Sequence, residues 1–294
     1  MKVAIYGQSY TNNTQKSIHR LLDLLLAKKI DTAIEQGFFN EIKKGKEATN
    51  QYKVFKTFKS LDKKFDLLVS IGGDGTMLRA TTFVRDLGIP IVGINTGRLG
   101  FLSTIQTSEI EEAIEQILVG NYKISERTLL SVETHPKNKE LYKLNFALNE
   151  IAVSRKNTTS MIKVETHLNG EYLTSYWSDG LIVSTPTGST GYSLSCGGPV
   201  ITPSANTFVL TPIAPHNLSA RPLIIPNDTE IQLKVDGREE HYLLSLDSRI
   251  VTLHNSTIVT IKKASFKIKM VELVNESFIE TLRKKMLWGE DKRN

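Results

Sequence analysis

Phe65-Asp66-Leu67-Leu68-Val69-Ser70-Ile71 runs directly into Gly72-Gly73-Asp74-Gly75-Thr76, and this junction decides the fold. The first seven residues form a near-continuous apolar run, which suits a strand covered on both faces. The glycine turn leads into a helix that the pattern starts at Thr76. Buried strand, tight turn and helix in succession make a parallel α/β arrangement. Upstream, residues 3–6 read as a short buried strand, and residues 14–29 set Ile18, Leu21, Leu22 and Leu25 on one helical face. Downstream, residues 89–94 give another buried strand, and Ser108-x-x-Glu111 supplies a capping box for a helix through Leu118. The signal blurs over residues 30–64, which read only as helix and loop.

After Gly120 the period changes towards alternation, with β-rich runs over residues 123–133, 141–153, 161–167 and 171–177. The Asn169-Gly170 pair marks a tight hairpin between the last two. Further strand patterns cover residues 231–235, 241–246, 250–253, 258–261 and 266–271, and residues 277–287 read as a terminal amphipathic helix. The expected fold is an α/β N-terminal domain with a parallel, Rossmann-like sheet, a mainly-β C-terminal domain, and a C-terminal helix returning to the first domain. The expected boundaries are residues 1–120, 121–272 and 273–294.

Composition narrows the function. In 294 residues, 40% are hydrophobic and 23% charged, as in ordinary globular proteins and unlike disordered or fibrous ones. Thirty-seven Lys and Arg against 31 Asp and Glu give +6, which raises the question of nucleic-acid binding. Many of the lysines fall within residues 43–64, on polar helix and loop, so a solvated surface is the preferred reading and no nucleic-acid partner is expected. One cysteine, Cys196, excludes an internal disulfide and points to a reducing compartment, the cytoplasm. The chain opens on a strand pattern without signal-peptide features, and its longest apolar patch, residues 21–27, includes Asp23 and is too short to span a bilayer. No membrane association is expected.

The glycine turn sits at the carboxyl end of a parallel strand, where open α/β sheets bind ligands. Its glycines bring backbone N–H groups close to a ligand, and the following helix N-terminus favours phosphate. A carboxylate would repel that phosphate, so Asp74 is better placed to accept a hydrogen bond from a hydroxyl or to help hold a metal. The competing reading, that Asp74 merely caps its helix, stands level with this one. Neither GxxxxGK[ST] nor a GxGxxG after a strand occurs in the chain. A second segment, Asp179-Gly180-Leu181-Ile182-Val183-Ser184-Thr185-Pro186-Thr187-Gly188-Ser189-Thr190-Gly191-Tyr192-Ser193-Leu194-Ser195-Cys196-Gly197-Gly198-Pro199, is so rich in hydroxyls and glycine that it reads as poor core. A strand feeds into it and Tyr192 suits a base or ribose, which favours a ligand-lining loop over a mobile surface loop.

These two segments, with Asn95-Thr96-Gly97-Arg98-Leu99-Gly100-Phe101-Leu102 and Asn149-Glu150 between them, resemble the bacterial NAD kinase family in order and spacing. The GGDGT turn is shared with lipid kinases, whereas the long DGxxxSTPTGST pattern is specific. The resemblance implies phosphorylation of the 2′-hydroxyl of the adenosine ribose of NAD, giving NADP, with ATP and Mg²⁺ or another divalent cation. It implies Asp74 as general base, with Gly75 lining the same site. Asn149 and Glu150 would hold ribose hydroxyls or neighbouring phosphate, and Asp179 the carboxamide or ribose region. Thr190, Gly191, Tyr192, Ser193, Leu194, Ser195 and Ala214 would frame the dinucleotide, with Tyr192 near an adenine. Arg79, one helical turn past the glycines, is added from its position as a phosphate contact, against the alternative of a solvated helix arginine. No side chain is assigned to the metal, which would arrive with the phosphates. A homodimer or homotetramer is implied. Three residues depart from the family pattern: Gly191 for Ala, Trp177 for a basic residue and Arg249 for Gln. The alternatives are a lipid kinase, against which the polar residues 185–198 speak, and a module that senses NAD or NADPH without turnover, against which Asp74 speaks.

Overall fold

The structure, a computed structural model, describes residues 1–44, 50–157, 160–217, 219–274 and 276–287. The chain divides into two units, residues 1–126 with 268–294, and residues 127–267.

Unit one is built on β1 (Lys2–Gly7), α1 (Asn12–Ala27), β2 (Asp31–Glu35), α2 (Gln36–Lys44), β3 (Lys56–Phe58), β4 (Leu67–Ile71), α3 (Asp74–Val84), β5 (Ile91–Asn95), β6 (Ile105–Gln106) and α4 (Ile110–Leu118). The strands pair in the order β3-β2-β1-β4-β5, with β6 on β5, and every one of these pairings is parallel. All five residues of β4 and of β5 are buried, as the unbroken apolar runs demand. On one face Val3, Ile5, Val69, Ile71, Val92 and Ile94 pack with the apolar stripe of α1 and with Ile110, Ile114 and Ile117 of α4.

Three readings from the sequence change here. The helix after the glycine turn opens at Asp74, two residues ahead of Thr76. The capping box lies at Gln106 and Glu109, whose carboxylate accepts from the Gln106 N–H at 2.9 Å, because a 3₁₀ turn precedes α4; Glu111 instead pairs with Arg20 at 3.0 Å. The blurred region holds β2, α2 and β3. Their shortness and mixed composition hid them, and residues 45–49 of that region lie outside the described residues.

Unit two contains β7 (Tyr122–His135), β8 (Phe146–Ala147), β9 (Glu150–Arg155), β10 (Ile162–Leu168), β11 (Glu171–Ser178), β12 (Gly180–Ser184), α5 (Tyr192–Ser195), β13 (Thr207–Ile213), β14 (Leu223–Pro226), β15 (Ile231–Gly237), β16 (His241–Leu246), β17 (Arg249–His254) and β18 (Ile258–Leu273). The ends of two strands belong to unit one, residues 122–126 of β7 and 268–273 of β18. One sheet runs β14-β13-β12-β9-β16-β17, antiparallel throughout; a second contains the antiparallel order β11-β10-β15-β18. Leu181, Val183, Phe208 and Tyr242 of the first share a core with Val164, Leu233, Val259 and Ile261 of the second. The expected hairpin at Asn169-Gly170 has both residues at positive φ, 51° and 84°.

The single β run read over residues 141–153 is in fact broken: β8 ends at Ala147 and β9 begins at Glu150. β13 carries no sequence-based expectation. Its pairing with β14 covers only residues 207–210, so Pro212 deprives that neighbour of no ladder hydrogen bond. The terminal helix α6 (Phe278–Met286) belongs to unit one, capped by Ser277, whose Oγ accepts from the Glu280 N–H at 3.1 Å. Phe278 packs on Phe101 with ring centroids 6.3 Å apart, so the helix returns to the first domain as expected. Among the described residues no helix is long and apolar enough to cross a membrane.

Candidate functional site

In unit one the chain from β1 turns towards β2 and β3, and the chain from β4 turns towards β5, so neighbouring β1 and β4 form a topological switch point. Gly72-Gly73-Asp74-Gly75-Thr76 lies at the carboxyl end of β4. Gly72 has φ 150°, and a Cβ there would overlap the Thr76 hydroxyl, which itself donates to Gln8 Oε1 at 3.1 Å.

Asp74 is not the cap of its helix: Gly73 is the N-cap residue, with no side-chain capping bond. The Asp74 carboxylate instead accepts from three consecutive backbone N–H groups, Phe101 to Oδ2 at 2.8 Å, and Leu102 and Ser103 to Oδ1 at 3.0 and 3.1 Å. Lys285 of α6 brings Nζ to 4.0 Å from Oδ2 and lies over the Phe101 ring. The carrier segment is closed by Asn95, whose Oδ1 accepts from Gly97 N–H at 2.7 Å and whose Nδ2 donates to the Arg98 and Ser103 carbonyls at 2.7 and 3.2 Å. Gly100 is required because a Cβ there would overlap the Asp74 carboxylate. The side chain of Asp74 remains 30% exposed, so the fixed group is still open to a partner. Open space surrounds the Cβ position of Gly75. Arg79 is hydrogen-bonded to the Tyr6 phenol; burial pushes that phenol up and the guanidinium opposes the shift.

No sequence signal marks Lys285, and Phe101 stands out only by its place inside a motif.

In unit two the structure brings together Asn149, Glu150, Gly191 and Tyr192. The Cβ position of Gly191 lies 3.0 Å from Glu150 Oε2 and 3.2 Å from Asn149 Nδ2, and the Tyr192 N–H donates to the Glu150 carboxyl. Asn149 Oδ1 and Glu150 Oε2 are buried without a hydrogen-bond partner within the chain. Burial, then the neighbouring Asp247 carboxylate, push Glu150 up to about 8, against the pull of the Tyr192 N–H. At neutral pH the proton therefore resides on Glu150, which can donate as well as accept.

The hydroxyl-rich segment is not an open loop. Thr185, Thr187 and Ser189 are buried, and two of their hydroxyls are bonded to backbone carbonyls: Thr185 Oγ1 donates to that of Leu148 at 2.6 Å and Ser189 Oγ to that of Pro186 at 2.7 Å. Gly188 packs so tightly on the Asn149 backbone that a Cβ would overlap it. Ser193 is buried, its hydroxyl committed to Thr211 at 2.8 Å, and Thr190 donates to the Thr187 carbonyl at 3.2 Å. Leu194 is half-buried, while Tyr192 and Ser195 are exposed. Asp179 is ion-paired to Arg155 at 2.8 Å, and its N–H donates to the Ile213 carbonyl beside exposed Ala214. Trp177 is 52% exposed on β11, and Arg249 holds backbone carbonyls of its own unit. Among the described residues, no group of three or more His, Cys, Asp or Glu side chains is placed to hold a metal ion.

The raised pKa of Glu150 has a measurable consequence. A carboxyl that binds its proton more tightly folded than unfolded stabilises the fold fully below the ordinary value of 4.5, and that contribution is lost as pH rises through about 8. The melting temperature of the wild type is expected to fall between those limits more steeply than that of Glu150→Gln; parallel curves would refute the assignment.

The sequence from residue 7 to 122 matches the model of the ATP-NAD kinase N-terminal domain, and residues 148–273 that of the ATP-NAD kinase C-terminal domain. Proteins named NAD kinase from Flavobacterium psychrophilum and Christiangramia forsetii are 60% and 56% identical, each aligned over 100% of both chains. The crystal structure of yeast NADH kinase complexed with NADH superposes with a TM-score of 0.85 at 23% identity, covering 99% of this chain and 88% of that one, which bears on the fold alone. An NAD kinase from Archaeoglobus fulgidus, solved in complex with ATP, gives 0.75 at 25% identity over 98% and 99% of the two chains. With both domain models matched and full-length relatives at this identity, the chain belongs to the ATP-NAD kinase family, phosphotransferases that act on NAD.

Proposed function

We propose that the chain transfers the γ-phosphoryl group of ATP to the 2′-hydroxyl of the adenosine ribose of NAD, with Asp74 as general base. The observation that carries this reading is the Asp74 carboxylate, fixed at the switch point by three N–H groups yet 30% exposed. A carboxylate held this way accepts a hydroxyl proton without reorganising, which is what positioned acid–base catalysis requires. Phosphoryl transfer asks mainly for alignment and charge neutralisation. Gly75, without a side chain, leaves room for phosphate, and Arg79 stays close by for a phosphate oxygen. The divalent cation is assigned to the substrate complex, where it neutralises the triphosphate.

Asn149 and protonated Glu150 take ribose hydroxyls through their unpartnered oxygens. Tyr192 offers an aromatic face to adenine, Asp179 meets the carboxamide or its ribose, and Thr190, Gly191, Ser193, Leu194, Ser195 and Ala214 frame the dinucleotide. A cytoplasmic location rests on the single cysteine. The homodimer or homotetramer rests on family resemblance, with exposed Tyr172 and Trp177 of β11 as apolar surface for it.

The test is incubation with NAD, ATP and Mg²⁺, scoring NADP with an NADP-specific dehydrogenase and ADP in parallel. Equal amounts of NADP and ADP are expected. ADP formed without NADP would reject the reading.

A further inference from the structure

The break between β8 and β9, where the Asn149-Glu150 pair sits, is held from a distant hairpin. β16 and β17 are joined by the two-residue turn Asp247-Ser248, with Leu246 opposite Arg249. Asp247 has φ 52°, a left-handed conformation that Asp tolerates better than most residues. Its side chain is only 3% exposed. Oδ2 accepts from the Leu148 N–H at 3.0 Å, and Oδ1 from those of Asn149 and Glu150 at 2.8 and 3.2 Å. Its own N–H donates to the Glu150 carbonyl at 2.9 Å.

On the opposite side, the carbonyls of Leu148 and Asn149 are taken by Thr185, through its hydroxyl at 2.6 Å and its N–H at 2.9 Å. The backbone of residues 148–150 is thus satisfied in both directions. What remains unpartnered is the pair of buried side-chain oxygens, Asn149 Oδ1 and Glu150 Oε2.

Arg249 completes the arrangement. Its guanidinium donates to the carbonyls of Leu144 and Phe146, lies over the Phe146 ring at 5.3 Å from the centroid, and stands 3.8 Å from Asp247 Oδ2. A planar fork with several donors can serve all of these at once, which an ammonium cannot. Arg249 is therefore committed to the strand leading into the break.

We propose that Asp247, braced by Arg249, is the positioning residue of the dinucleotide site: it fixes the Asn149-Glu150 backbone so that both side chains present their free oxygens to the ribose. The proposal rests on the function argued above. Burial pushes the Asp247 carboxyl up, against the three N–H donors and the Arg249 guanidinium, and the same carboxyl adds to burial in pushing Glu150 up. The titratable groups around Glu150 are Asp247 and, beyond it, Arg249 from the β16–β17 turn, and Tyr192 from α5, itself within reach of Asp179 and Cys196.

Asp247→Asn puts an NH₂ against backbone N–H groups. Losing hydrogen bonds to a charged acceptor is expected to weaken NAD binding by calorimetry, and to raise KM for NAD, roughly 10- to 100-fold, with KM for ATP and kcat little changed. Without the Asp247 carboxyl, which helps push Glu150 up, the alkaline limb of the pH profile for NAD binding, set by Glu150, is expected to move to lower rather than higher pH. A merely structural residue would not move that limb. If Asp247→Asn fails to fold, Arg249→Lys serves: it keeps the charge but loses the fork, and a rise of about threefold in KM for NAD is expected. Wild-type affinity and an unmoved limb in Asp247→Asn, or wild-type KM in Arg249→Lys, would overturn the proposal. Wild-type protein that binds NAD but yields no NADP would overturn the kinase reading alone, because calorimetry needs no turnover; wild-type protein that binds no NAD would overturn both.

Discussion

Asp74→Asn is expected to lower kcat for NADP formation by about 10²- to 10⁴-fold, the range for removing a positioned general base. NAD affinity should stay near the wild-type value, because the dinucleotide contacts are assigned to residues 149–150, 179–195 and 214. An amide of the same shape cannot take the hydroxyl proton, and its NH₂ would face one of the N–H donors of residues 101–103. The loop is therefore expected to loosen as well as the chemistry to stop. Single-turnover measurements with saturating NAD and ATP separate the two, since a loop effect alone leaves the proton transfer intact once substrates are seated. Turnover equal to that of the wild type would remove Asp74 from the reaction.

Gly100→Ala should be nearly as damaging, although the residue touches no substrate in this reading. The added methyl would occupy the space of the Asp74 carboxylate, which is short and pinned and has no other place that preserves its three hydrogen bonds. Either the carboxylate swings away or residues 101–103 move off, and in both cases kcat is expected to fall by roughly 10²-fold, the cost of misplacing a reacting group by about 1 Å. Placing both changes in one chain should cost little more than Asp74→Asn alone, since they remove the same interaction. Multiplying losses would show that Gly100 acts through something other than Asp74.

The strand, turn and helix around residues 65–84 were legible because an unbroken apolar run before a glycine turn is a local signal. So were α1, α6 and the Asn169-Gly170 hairpin, each set by its own residues. The break at Leu148-Asn149 was not, because the Asp247 carboxyl that takes its N–H groups lies 98 residues from Asn149. The hydroxyl-rich segment misled in another way. Counted as polar residues, Thr185, Thr187 and Ser189 argue against burial, but a hydroxyl that bonds a neighbouring carbonyl brings no unpaired group into the core. In the site, Asp74 was identifiable by motif. Its partners at residues 101–103 were not, since they bind through backbone N–H groups that any sequence possesses. Lys285 was hidden by distance and by an unremarkable basic context.

Unit one is discontinuous, and this orders events during synthesis. A ribosome that has released residues 1–126 has made the glycine turn and most of a parallel sheet, but neither the last segment of that sheet nor the Phe278 and Lys285 side chains that lean on the Asp74 loop. Residues 127–267 are contiguous and complete in themselves, so the later-made β unit has all its parts before the earlier-made α/β unit does. The carboxylate written first into the chain is among the last to acquire its full surroundings.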